Sequence, residues 1–96
     1  MIRVEGERLF VSGPATLATA AQLLEEARAP LEGAVHAVDL GEVTELDSSL
    51  LAVLFAWLRA ARQRGRSLAL LRLPPDLKSL ARLYGVAELL PQDRAS

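Results

Sequence analysis

The tetrapeptide Leu46-Asp47-Ser48-Ser49 sets a carboxylate and two hydroxyls side by side, at the head of eleven residues, Ser48 to Leu58, that carry no charge. Two kinds of chemistry could use such a run. A serine becomes a nucleophile when an imidazole base and a tight Gly-x-Ser-x-Gly turn activate it. No such turn surrounds Ser48 or Ser49, and the one imidazole, His36, stands alone between Val35 and Ala37 in an apolar run, where a structural role is expected. Paired carboxylates could do acid-base work, with Asp39, Glu45 and Asp47 as the candidates. Short acids at strand ends and helix starts are, however, the residues that cap helices and face water. Asp47 and Ser48 fit that use: their oxygens can accept from the free N–H groups of a first helical turn. One His and no Cys cannot supply the usual zinc set, and no glycine-rich loop precedes a Lys-Ser/Thr pair. The expectation is a binding protein, not an enzyme, with no cofactor and no metal.

Those residues must be held by elements that the pattern of the chain defines. "IRVEGERLFVSG" is two short alternations around Gly6 and Glu7, which predicts an N-terminal hairpin. Leu17, Ala20, Ala21 and Leu24 fall at helical spacing between Thr16, a plausible cap, and Ala29, with Pro30 beyond the end. "AVHAVDL", residues 34 to 40, reads as a buried strand stopped by Gly41, and Glu42 to Asp47 as an acidic loop. A helix follows from Ser48 or Ser49 to about Arg64, closed by Gly65. "RSLALLRL", residues 66 to 73, reads as a further strand ending at Pro74-Pro75. Asp76 to Tyr84 is a last helix, stopped by Gly85, with Leu77, Leu80, Ala81 and Tyr84 on one face. The order β-β-α-β-α-β-α predicts an α/β fold, a mixed β-sheet with helices packed on it, in one domain spanning residues 1–96.

Composition narrows the partners. With 51% hydrophobic but only 4% aromatic residues, the core is built from Leu, Ala and Val. Residues 1–48 hold nine acids and three bases, and residues 49–96 three acids and eight bases. Arg59, Arg62, Arg64, Arg66 and Arg72 could form a basic face, but cations in a last helical turn and solvated arginines account for them. With few aromatics and no basic balance, no nucleic-acid partner is expected. Arg3, Glu5, Glu7 and Arg8 interrupt the N-terminus where a signal peptide needs an apolar run. The uncharged stretch is about half the roughly 20 residues of a membrane span. A cytoplasmic chain without direct membrane insertion is expected.

The Ser48-led helix has more apolar surface than one core contact uses. At 100° per residue, Leu50, Leu54, Leu58, Leu51 and Phe55 line one side, and Val53 and Trp57 extend it past an edge. The arc spans roughly 200°, against the roughly 100° a core-facing stripe needs. Ala52, Ala56 and Ala60 add a low-relief face. Either the helix is buried on two sides, with Trp57 a core filler, or the surplus meets a partner; the expectation carried forward is a partner at the Trp57 edge.

Within "VDLGEVTELDSSLLAVL", the residues Asp39, Leu40, Val43, Leu46, Asp47, Ser48, Ser49, Leu51, Ala52 and Leu54 match a pattern that resembles the STAS domain, the sulfate-transporter and anti-sigma-antagonist family. Leu50 stands where that family usually keeps Gly or Ala. The likeness covers essentially the whole chain. The ending "LKSLARLYGVAELLP", through Lys78, Leu80, Ala81, Leu83, Tyr84 and Gly85, is most similar to the MlaB-type lipid-asymmetry-maintenance members. That resemblance implies a non-catalytic regulatory subunit that binds the ATPase subunit of a phospholipid-transporting ABC transporter at the inner face of the membrane. The alternative it implies is an anti-sigma factor antagonist, with Ser48 phosphorylated by a partner serine kinase and binding switched toward an anti-sigma factor. Either way the expected partner-binding residues are Asp47, Ser48, Ser49, Leu50, Val53, Ala56 and Trp57.

Overall fold

The N-terminal alternation closes as a hairpin because Gly6, at φ 62°, supplies the left-handed corner. In the computed structural model, which describes residues 1–91, β1 (Ile2–Glu5) pairs antiparallel with β2 (Arg8–Ala15). The expected domain runs on to Ser96, and residues 92–96 lie outside the described ones. β2 leads into α1 (Leu17–Glu32) and returns as β3 (Ala37–Leu46), parallel to β2. β3 leads into α2 (Ser48–Gln63) and returns as β4 (Ala69–Leu71), parallel to β3. α3 (Pro75–Leu83) and a short 3-10 turn (Ala87–Leu89) complete the order. The sheet order is β1-β2-β3-β4, so both crossovers step across the sheet in one direction. Right-handed connections of that kind put their helices on a single face. Leu9, Val11, Val38, Leu40 and Leu70 form one core there with Leu23, Ala27, Leu54, Leu77 and Ala81. The mixed α/β fold and its element order are those the sequence predicts.

Three elements differ in extent from expectation, among them β3, which starts at Ala37 and not at Ala34. α1 does not stop before Pro30 but continues to Glu32. Pro30 removes one hydrogen bond in the last turn, while Leu31 one residue on is buried in the core, and its burial offsets that loss. The acidic segment Glu42–Leu46 is strand, not loop. It pairs with Ser12–Ala15 of β2 across two register shifts. β4 reaches only Ala37–Asp39 of β3, so the acidic half of β3 is a free edge, where charge discourages further pairing. β4 itself is three residues, not eight. Arg72 at φ 53° turns the chain out of the sheet.

Among the described residues, the second face of the sheet carries no helix but is not bare. Asp39, 2% exposed, lies there beneath Arg72, whose Nε donates to its two oxygens at 2.8 and 3.0 Å. Gly41 N–H donates to the same carboxylate at 2.9 Å, and Arg8 approaches it at 3.7 Å. A side chain at Gly41 would overlap the Arg72 guanidinium. Arg3 stacks over Phe10 at 4.3 Å from the ring centre while bridging to Glu42 at 3.0 Å.

Candidate functional site

Asp47 caps α2 from an extended backbone, its Oδ1 accepting from Ser49 N–H at 2.8 Å. Its other oxygen accepts from Leu17 N–H at 3.1 Å, in the first turn of α1. One carboxylate thus ties the starts of two helices together. The Leu17 N–H first, then the Ser49 N–H, hold the carboxyl below the usual aspartate range, because both donate to the charged form. A group depressed on folding contributes stability above its unfolded value, about 3.9, and loses it as pH falls through the lowered folded value. Asp47→Asn keeps one acceptor oxygen where the carboxylate offers two. In thermal melts followed by circular dichroism, its deficit in Tm relative to the parent should be full at pH 7 and close below about pH 4. Glu42, likewise lowered by Arg3, cancels in that difference.

Ser48 is the first residue of α2 and is exposed, while Ser49 is half-buried. No acidic side chain stands in the first turn of α2, so the helix end favours an anion there. Ser48 heads an open groove lined by Leu51 and Phe55 of α2 and by Tyr84 and Val86 beyond α3. Tyr84 is 58% exposed, and Leu83 and Leu89 nearby are 77% and 63% exposed. On the other side of the cap, Leu17 is 76% exposed. Leu58 and Leu89, with Arg59 and Arg62, continue the lining along the same flank of α2.

The expected partner-binding set divides. Asp47, Ser48, Ser49 and the half-buried Ala56 reach or border the surface. Leu50, Val53 and Trp57 do not: they are 1%, 2% and 3% exposed and belong to the core. The wide apolar arc is not surplus on the Trp57 side, because α2 packs against α1 on one flank and α3 on the other. The apolar surface left over lies at Phe55 and Leu58, on the α3 flank. The outward face of α2 is Ser48, Ala52, Arg59 and Arg62. The periodicity puts Phe55 on the apolar side of α2 and Leu17 and Tyr84 on faces of their helices, without marking any of them as a surface contact. For Leu17 the one signal was its place directly after the Thr16 cap.

The five arginines do not make one basic face. Arg64 pairs with Glu32 at 3.3 Å, Arg66 bonds the Gly33 carbonyl, and Arg72 is turned to Asp39. Arg59 and Arg62 carry no ion pair among the described residues. His36 precedes β3, exposed, with Nε2 2.7 Å from Glu7. Ser48 follows the far end of the same ten-residue strand, on the order of 30 Å away at 3.3 Å per residue, so His36 cannot serve it as a base.

Solved structures share this fold. The fold is similar to an anti-sigma factor antagonist from Mycobacterium paratuberculosis, with TM-score 0.74 and 20% identity over 98% of this chain and 83% of that one. It is similar to a putative anti-sigma factor antagonist from Thermotoga maritima, with TM-score 0.74 and 13% identity over 96% and 83%. A sulfate transporter family protein from Wolinella succinogenes matches with TM-score 0.66 and 20% identity over 88% and 70%. No curated protein sequence matches the chain. The family described as "Mlab, STAS domain" matches residues 2–91. With Asp47 capping α2 ahead of Ser48 and the parallel strands that present them, the chain belongs to the Mlab STAS-domain family.

Proposed function

We propose that this protein is a non-catalytic docking subunit that binds the ATPase of a phospholipid-transporting ABC complex at the cytoplasmic face of the membrane. The observation that carries the reading is the exposed Ser48 at the mouth of an apolar groove that the exposed Tyr84 also lines, with the exposed Leu17 on the other side of the Asp47 cap. Exposed apolar side chains beside a helix start that Asp47 caps are what a partner surface requires. The match to the Mlab family supports the transporter as the partner class. No helix among the described residues is long and apolar enough to cross a membrane, so contact with the bilayer would run through that partner.

A second reading, an anti-sigma factor antagonist switched by phosphorylation, is favoured by Ser48 itself: an exposed hydroxyl at a helix start accepts a phosphate without local strain. Both readings predict that negative charge at Ser48 weakens docking while the fold persists. Ser48→Asp should melt within about 2 °C of the parent and bind the cognate transporter ATPase at least about tenfold more weakly by calorimetry. Equal binding by Ser48→Asp would remove Ser48 from the interface. Failure of the parent to bind the ATPase, together with phosphate incorporation at Ser48 by the cognate serine kinase, would decide for the second reading.

A further inference from the structure

The α3 flank of α2 is apolar along most of its length and cationic at one end. Ser48, Leu51, Phe55, Leu58 and Arg62 follow one another at steps of three and four, so they form a single stripe down the helix. At 1.5 Å per residue the stripe runs roughly 21 Å. Two openings that share Phe55 make it one trough, with Tyr84 and Val86 as the opposite wall of the first and Leu89 as that of the second. Arg59 and Arg62 border the second opening, both exposed and neither in an ion pair among the described residues. Glu88 lies at the same end beside Arg62 and Arg66, which sets one acid against three arginines. The wall opposite α2 offers no strand edge. The N–H groups of Tyr84, Val86 and Leu89 already donate to the Leu80, Ala81 and Val86 carbonyls, at 3.0, 2.8 and 2.9 Å. An extended peptide in the trough would leave its own N–H and C=O groups unpaired against apolar side chains, whereas a helix pairs them internally.

On the docking reading above, we propose that this trough takes an amphipathic helix of the partner, lying antiparallel to α2 with acidic residues in its first turn. Its apolar residues, spaced at i, i+3 or i+4, and i+7, meet Leu51, Phe55 and Leu58. The antiparallel direction sets its first turn beside Arg59 and Arg62, where carboxylates supply the negative charge that end lacks. Its C-terminal end, the negative end of its dipole, then lies over Ser48, so a negative charge on Ser48 repels it.

Two alanine-rich peptides of about 18 residues, long enough to be partly helical, provide the test. They share one leucine stripe and differ only in carrying two glutamates or two lysines in the first turn. Each is titrated into the full, nitrogen-15-labelled chain and followed by amide shifts. The glutamate peptide should move amides of Leu51 to Arg62 and Tyr84 to Leu89 with a Kd of about 0.1 mM, at least about tenfold tighter than the lysine peptide. With Arg59→Glu and Arg62→Glu together that order should reverse, which a difference in peptide helicity cannot produce. Arg59→Gln with Arg62→Gln, in which the order should vanish, keeps the test open if the first variant does not fold. The charge-reversed chain should also bind the cognate transporter ATPase at least about tenfold more weakly than the parent does. The proposal is overturned if the glutamate peptide does not bind, if its shifts fall outside the trough, or if the peptide order is the same in parent and variants. It is overturned, with the docking reading intact, if the arginine changes leave ATPase binding as it was. It stands, and the ATPase reading falls, if the peptides behave as expected but the parent does not bind the ATPase. Capture by phosphatidylglycerol vesicles that needs Arg59 and Arg62, with no binding of the glutamate peptide, would overturn it in favour of a lipid surface.

Discussion

Trp57→Ala should lower the unfolding free energy by about 3 kcal/mol, the low end of the range for emptying a tryptophan site. The indole sits in the core beside Leu31 at the α1–α2 contact, so its loss enlarges a cavity that the two helices already border. The low end is expected because the parent buries an unpaired N–H, whose cost the substitution removes. Denaturant unfolding must be followed by circular dichroism, since the variant has no tryptophan. A fall in midpoint with unchanged slope is the expected result. A loss below about 1 kcal/mol would mean that the ring lies on the surface, and the docking face would then have to move from the α3 flank of α2 to the α1 flank.

The second large effect belongs to Arg72. Its guanidinium covers the buried Asp39 carboxylate while its own backbone sits at φ 53°, so one residue both satisfies a buried charge and holds a strained conformation. Arg72→Ala removes the charged donor and keeps the strain, and should cost about 2 kcal/mol. Arg72→Gly removes the same donor but relieves the left-handed backbone by about 1 kcal/mol. The glycine variant should therefore be the more stable of the two in urea unfolding, the reverse of the usual order. An alanine variant equal to or more stable than the glycine variant would show that the backbone there is unstrained. Gly41→Ala should cost less than Arg72→Ala, because its Cβ meets only the end of the flexible, half-exposed Arg72 side chain, which can shift.

The sequence by itself determined what short-range chemistry controls. Asp47 is the cap of α2 because a short carboxylate ahead of an apolar run has a free N–H two residues on. Gly65, at φ 72°, lies just past the end of that helix because only glycine takes this conformation without cost. The element order followed from periods of 2 and 3.6, and the family from residues within one strand, one turn and one helix. Tertiary structure decided what depends on residues far apart in the chain. Asp47 takes its second hydrogen bond from Leu17, 30 positions away, and Asp39 takes Arg72 from 33 positions away. Glu42–Leu46 became strand because β2 runs alongside to accept it, although its own composition reads as loop. The side of α2 that stays open was decided the same way. Hydrophobicity states how much of a helix avoids water, but only the helices packed on its two flanks determine that Trp57 is covered and Phe55 and Leu58 remain at the surface.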